Sequence, residues 1–172
     1  MVSFRPVTRE DLPILADWMA RPHWREWWGE PETELGYIRD MIEGRDTTCP
    51  FIFRLEGVDK GYCQVWYVGD QQETEFVEDY PWLKWLPQDA AGVDLALAEE
   101  RDLSRGLGTE VLRAFVRKLR REGHERIVID PDPANLRAVK AYRKAGFREI
   151  GNLLGRTGDN LLMELVNTKG VS

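Results

Sequence analysis

The chain has 172 residues, 42% of them hydrophobic, and carries 24 Lys and Arg against 30 Asp and Glu, a formal charge of -6. That length and apolar content suffice for one packed core, so a single domain over residues 1–172 is expected. The negative balance repels phosphate backbones and anionic lipid surfaces, which argues against nucleic acid and membrane partners and in favour of cationic ones. No run of 18 apolar residues and no basic stretch followed by an apolar one occurs, so a cytoplasmic protein is expected. Cys49 and Cys63 stand 14 positions apart without a second pair or a neighbouring histidine. They read as buried free thiols, and no metal site is expected.

Val2, Phe4 and Pro6 alternate with Ser3 and Arg5 as in a strand. Thr8-Arg9-Glu10-Asp11 then supplies a helix N-cap and an acidic first turn for a helix through Leu12, Leu15 and Met19. A second helical pattern, Leu35, Ile38, Met41 and Ile42, ends near Gly44. Strands at Pro50-Leu55 and Tyr62-Val68 are joined around Gly57-Gly61 as a hairpin. The acidic, Trp-containing segment from Gly69 to Ala90 lacks a period and is longer than an ordinary connection, which marks it as either functional or disordered, with function the favoured reading. Val93, Leu95 and Leu97 form a further strand, and Leu107, Val111, Leu112, Phe115 and Leu119 share one helix face, closed by Gly123-His124. A strand at Arg126-Asp130 follows. Pro133-Ala134-Asn135 opens a helix through Ala138, Val139 and Tyr142 that stops at Gly146. Strand signals at Phe147-Ile150 and Leu161-Val166 flank a turn at Gly155-Gly158. The sum is an α/β domain whose central strand, helix and strand resemble a right-handed crossover.

The stretch Ser104-Arg105-Gly106-Leu107-Gly108-Thr109 lies at the entrance of a helix, between a strand and an amphipathic run. Small residues there let backbone N–H groups converge on a phosphate while the helix dipole adds partial positive charge; Gly-x-Gly is also ordinary turn chemistry. Thr109-Glu110 replaces the Lys-Ser/Thr pair of a P-loop, and Val111 occupies the third glycine position of a dinucleotide fingerprint. A phosphate ligand other than ATP or NAD remains.

The run LSRGLGTEVL resembles the acetyl-CoA loop of the GCN5-related N-acetyltransferases, with Leu103 where the family pattern has Gln or Arg. DPDPANLRAVKAYRKAGFRE, at Asp130-Glu149, resembles their asparagine-to-tyrosine helix. REWWGE at Arg25-Glu30, GVDLALA at Gly92-Ala98 and DPDPANLRA at Asp130-Ala138 narrow the resemblance to aminoglycoside 6′-N-acetyltransferases. The resemblance implies the GNAT fold, a mixed and mostly antiparallel central sheet with a splayed parallel strand pair, flanked by helices. It also implies acetyl-CoA as co-substrate, direct acetyl transfer to the 6′-amine of a cationic aminoglycoside, and a monomer or homodimer.

By that resemblance, Arg105, Gly106, Leu107, Gly108 and Thr109 supply amides to the pyrophosphate, and the edge of Leu95, Ala96 and Leu97 pairs with the pantetheine arm. The Leu95 amide faces the thioester oxygen, and Asp94 faces the substrate amine as base. Asn135 binds the arm, and Tyr142, seven positions later on the same helix face, protonates the departing thiolate. A polyamine sugar calls for several carboxylates and flat rings. Matching outward from Asp94 gives Asp79, Asp130 and Asp159 as acceptor carboxylates and Trp27 or Trp28, with Trp82, as platforms. Asp130-Pro131 and Gly158-Asp159 are also ordinary turn pairs, and a tryptophan also serves as core.

His23 and His124 have no matched partner and read as surface or helix-end residues. Arg113, Arg117, Lys118, Arg120 and Arg121 read as the wet face of a helix that reaches toward the nucleotide end of coenzyme A. Two alternatives stay open: a siderophore-type acyltransferase for a hydroxylated lysine or ornithine, and a noncatalytic acetyl-CoA-binding domain.

Overall fold

A computed structural model describes residues 1–166. Seven strands form one mixed sheet in the order β1-β2-β3-β4-β5-β7-β6: β1 Val2–Pro6, β2 Cys49–Leu55, β3 Val58–Tyr67, β4 Ala91–Leu97, β5 Ile127–Ile129, β6 Phe147–Glu149 and β7 Met163–Leu165. The helices are α1 Leu12–Met19, α2 Pro22–Trp27, α3 Pro31–Ile42, α4 Val68–Gln71, α5 Phe76–Asp79, α6 Leu107–Arg121 and α7 Leu136–Lys144. Among the described residues, no helix is long and apolar enough to cross a membrane.

Among the described residues only β4 and β5 run parallel, and their register extends over just Ala91↔Ile127 and Gly92↔Val128. Beyond Gly92, β4 continues to Leu97 on β3 alone, so the sheet opens into a wedge on the β5 side. Ala91 N–H donates to the Arg126 carbonyl at 2.8 Å, and Ala98 N–H donates to Lys60 on the opposite edge at 2.8 Å. Strand alternation therefore turns the N–H and C=O of Leu95 and Leu97 into the wedge.

The period-2 pattern of β4 serves two cores. Val93 and Leu97 pack with Val111, Leu112, Phe115 and Leu119 of α6, while the other face meets α1 and α3 through Leu15, Trp18, Leu35 and Ile38. A third cluster, Trp66, Val68, Trp82, Leu83 and Leu86, seats the segment that follows β3.

The expected strands and helices form, with three differences. Residues Pro22–Trp27 make a separate helix after the Arg21 bend, with proline at its first position, where a missing N–H costs nothing. β3 begins at Val58 because the hairpin turn is only Glu56-Gly57, both at positive φ, and Val68 belongs to α4 and not to the strand. The aperiodic segment from Gly69 to Ala90 folds as α4, α5 and a 3-10 turn at Pro81–Trp85. Its base is closed by Val68 N–H to Ala90 O at 3.0 Å and Gly69 N–H to Gln88 O at 3.1 Å. Gln72 ties its interior, donating to Leu83 O and Leu86 O at 2.8 and 3.0 Å. Side-chain-to-backbone bonds of this kind leave no hydrophobic period to read.

Candidate active site

Two cavities meet where β4 and β5 part. One, of 370 Å³, runs along the free edge of β4 between α2, the loop before α6, and α7. The other, of 790 Å³, lies under the α4–α5 flap and the loop between β6 and β7. Leu95, Asn135, Ala138 and Tyr142 line both.

The narrow groove runs from the open edge of β4 to the N-terminal end of α6. Gly106 caps α6 at φ +86, a left-handed conformation open mainly to glycine. Gly108 is different: its φ is not positive, and a Cβ there would meet nothing within 4 Å. Neither backbone strain nor protein packing demands glycine at 108, and its backbone is open to approach from outside the chain. Leu95, Ala96, Leu97, Gly106, Gly108, Thr109, Asn135 and Tyr142 of the expected carrier set line the groove. Leu107 and Thr109 can offer only backbone, since Leu107 is in the core and the Thr109 hydroxyl donates to Ala141 O at 3.2 Å. Arg105 is exposed and outside the groove lining. Asn135 caps α7, its Oδ1 accepting from Ala138 N–H at 3.3 Å, which leaves Nδ2 to donate into the groove. The residues present therefore fit an acyl carrier with a pyrophosphate and an amide-bearing arm.

The end of that groove is held by side chains that sequence reasoning missed. His23 Nε2 and Trp24 Nε1 both lie 2.9 Å from the Leu97 carbonyl, and Arg21 donates to Ala98 O at 2.7 Å. A carbonyl only accepts, so His23 carries a proton on Nε2. Leu97 O is thereby doubly bonded. Leu95 remains with wedge-facing N–H and C=O groups that have no sheet partner among the described residues.

In the wide cavity the residues expected to bind the acceptor, Trp27, Trp28, Asp79, Trp82, Asp94, Asp130 and Asp159, all form part of the wall. They differ in depth. Asp79 and Asp159 are exposed at the rim, Asp94 and Asp130 are half-buried, and Trp82 is 5% exposed, more core than platform. Trp28 stands edge-on to Tyr62 with ring centroids 5.6 Å apart, which fixes its indole plane.

Asp94 is placed by its cross-strand neighbours. Trp66 pairs with Gly92 and Gln64 with Asp94 on the β3–β4 ladder. A Cβ at Gly92 would come within 1.9 Å of the Trp66 ring, so glycine there lets the indole lie flat across β4 beside Asp94. Gln64 Nε2 donates to Asp94 Oδ2 at 2.9 Å. Burial pushes the Asp94 carboxyl up, and hydrogen bonds from Gln64 and Trp66 oppose that rise. Asp130 is pushed well up by burial and then by the Asp94 charge, while Asn160 holds it from Nδ2 at 3.1 Å. Glu34 of α3, absent from the sequence-based set, enters the same wall, and burial and Asp94 raise its carboxyl too. Arg156 is the one cation in this lining among the described residues, and it stacks 4.7 Å over Trp85. Burial, followed by the Asp94 and Asp130 charges, holds the Tyr142 phenol far above its ordinary range, so it stays protonated. Among the described residues there is no group of His, Cys, Asp and Glu placed to hold a metal ion.

The described geometry agrees with known proteins. The acetyltransferase (GNAT) domain profile matches residues 7–153. The chain is 31% identical to the aminoglycoside N(6′)-acetyltransferase type 1 of Klebsiella pneumoniae, over 98% of this chain and 83% of that protein. It is 25% identical to the lysine N-acyltransferase MbtK of Mycolicibacterium paratuberculosis, over 82% of this chain and 62% of that one. A solved AAC(6′)-Ib in complex with coenzyme A and kanamycin superposes with a TM-score of 0.80 at 30% identity, covering 97% of this chain and 95% of that one. The complex of AAC(6′)-Ib with paromomycin and acetyl-CoA gives 0.81 at 29% identity, covering 96% and 93%. With a profile over most of its length and a relative above 30% identity across nearly all of it, this chain belongs to the GNAT acetyltransferase family.

Proposed function

We infer that the chain is an acetyl-CoA-dependent aminoglycoside 6′-N-acetyltransferase working by direct transfer. The observation that carries this reading is the meeting of a carrier groove with an anionic cavity at Leu95 and Tyr142, with Asp94 on the wall of the anionic side. The likeness to an aminoglycoside N(6′)-acetyltransferase and to a solved complex that holds kanamycin supports the acceptor class.

Bound acetyl-CoA supplies an acetyl group activated as a thioester. The chain supplies position, charge and protons. Leu95 N–H, aimed into the wedge, donates to the acyl oxygen as negative charge develops there. Leu95 C=O and Asn135 Nδ2 align the arm as an added strand would be aligned. Asp94 accepts a proton from the 6′-ammonium, directly or through one water, and so leaves a neutral nitrogen able to attack. Tyr142, kept as a phenol, gives its proton to the departing sulfur. Asp130, Asp79 and Asp159 face further ammonium groups of the acceptor, and Trp27 and Trp28 flank its rings.

We place this activity in the cytoplasm, on one domain spanning the chain, as a monomer or homodimer without nucleic acid. The lysine N-acyltransferase likeness favours a lysine-type amine as second acceptor class. Carboxylates lining the cavity from three walls suit a polycation better. The deciding experiment follows thiol release from acetyl-CoA with kanamycin, tobramycin, hydroxylysine or no acceptor. Acceleration by the aminoglycosides is expected. Acceleration by hydroxylysine alone would replace the acceptor, and silence with every amine would leave a binding module.

A further inference from the structure

Glu34 lies at a junction. Glu30 caps α3 by accepting from Thr33 N–H at 3.0 Å, with Pro31 at the first helical position, and this sets Glu34 one turn into the helix. The chain at Gly29 passes so close that a Cβ there would be 2.4 Å from Glu34 Oε1. Glycine at 29 thus makes room for the Glu34 carboxylate. That carboxylate lines the 790 Å³ cavity and also a side lobe of 240 Å³ between α3 and the flap. Tyr37 and Met41 wall the lobe on one side, Phe76 on the other, and Trp66 lies at its inner end. Tyr37 and Phe76 meet edge-on at 5.9 Å and so bridge α3 to the flap over the lobe.

The other half-buried carboxylates along these walls have their own donors, Gln64 for Asp94, Asn160 for Asp130 and the Thr48 N–H for Asp46. Among the described residues no hydrogen bond or ion pair reaches the Glu34 side chain. Among the described residues, no cationic side chain lines the side lobe. A half-buried carboxylate without a donor is expensive to keep ionised, and a cation from outside the chain removes that cost. The lobe has space for one ring and not for a whole oligosaccharide.

We propose that Glu34 and the side lobe form a second recognition subsite, which takes a cationic substituent of the acceptor other than the amine that is acetylated. Glu34 is then a specificity-determining residue that favours polyamines over monoamines. This deepens the acceptor assignment above and rests on it. An apolar occupant, such as a longer acyl chain, is disfavoured by the carboxylate at the mouth.

The test compares kanamycin with 6-amino-6-deoxyglucose, a single ring carrying one primary amine, in wild type, Glu34→Gln, Glu34→Asp and Gly29→Ala. The readouts are kcat/KM for both acceptors and the calorimetric Kd for kanamycin without any acyl carrier. For Glu34→Gln the ratio of kcat/KM for kanamycin to that for the monoamine falls about tenfold, in line with loss of one charge-assisted contact. The kanamycin Kd rises by a similar factor through KM, while kcat changes little. Glu34→Asp recovers part of the ratio, and Gly29→Ala, which must displace the carboxylate, lowers it. An unchanged ratio in Glu34→Gln and Gly29→Ala with wild type still acetylating kanamycin overturns the subsite alone. A wild type that neither binds nor acetylates kanamycin overturns the acceptor assignment and the subsite together.

Discussion

Gln64 donates from Nε2 to Oδ2 of Asp94 at 2.9 Å, and its Oε1 accepts the Tyr62 hydroxyl at 2.6 Å. An ionised carboxylate only accepts, so Asp94 fixes Nε2 as the end of the Gln64 amide that faces it, and the buried Tyr62 hydroxyl, donating to Oε1, holds the amide in that orientation. Gln64→Leu removes a bond that favours the ionised carboxyl, so Asp94 rises further. A base works only when deprotonated. The acid limb of the kcat/KM profile therefore moves to higher pH, with the alkaline limb in place. Asp94→Asn lowers kcat by about 10²–10⁴ with little change in the Kd for coenzyme A, and a rate within twofold of wild type would remove its role as base.

Asp130 is a half-buried carboxyl whose folded pKa lies above its unfolded value. For such a group, the stability present below the unfolded pKa is lost as pH rises through the folded pKa. Asp130→Asn removes that loss. Its Tm exceeds that of wild type by on the order of a few degrees at pH 8, and the difference vanishes in acid, while kanamycin affinity falls. A Tm gain that persists unchanged at pH 4 would contradict this account.

Gly106 and Gly108 separate backbone strain from ligand approach. Gly106→Ala forces alanine into the left-handed region and costs roughly 1–2 kcal/mol of stability, measurable by denaturant unfolding. Gly108→Ala leaves stability nearly unchanged because no protein atom is displaced. Its calorimetric Kd for coenzyme A rises about tenfold, an effect of about 1.4 kcal/mol. Equal losses of stability in the two variants would mean that glycine at 108 serves packing after all.

His23 and Trp24 share one acceptor. His23→Ala leaves Trp24 on Leu97 O and raises the KM for acetyl-CoA a few-fold with kcat nearly kept. His23→Gln, whose amide can donate, restores it. Trp24→Phe costs about 1–3 kcal/mol of stability because Trp24 is almost fully buried and leaves a half-satisfied carbonyl. No change in KM for His23→Ala would confine His23 to the surface role that its isolation in the sequence suggests.

Kanamycin binding also carries a proton signature. Burial raises Asp94, Asp130 and Glu34, and a bound polycation favours their ionised forms, so binding releases protons. Calorimetry at one pH in two buffers of different ionisation enthalpy gives different apparent heats. The affinity rises with pH through the carboxyl range until the ligand amines begin to lose their own protons. Identical heats in both buffers would rule out the coupling.

The carrier side was legible in the chain order because it is local. Val93, Leu95 and Leu97 alternate, Gly106 and Gly108 sit at a helix entrance, and Asn135 and Tyr142 lie two turns apart on one face, so neighbours in sequence are neighbours in the groove. Glu34 was not legible, since in the first turn of α3 an acidic residue reads as a complement to the helix dipole while Leu35 and Ile38 carry the visible period. His23 was missed for a related reason: its partner is a backbone carbonyl 74 residues away, and a backbone carbonyl has no residue type to match.

The amino-acid order by itself determined the alternation of strands and helices, the glycine entrance to α6 and the family to which the chain belongs, because hydrophobic period and backbone permissiveness act over a few residues. Tertiary structure alone decided that β4 leaves β5 after Gly92, that α2 fastens the end of β4, and that Glu34 comes to share a cavity with Asp94 and Asp130. Those outcomes follow from packing between distant segments, where burial and mutual charge set the chemistry of side chains that look ordinary one at a time.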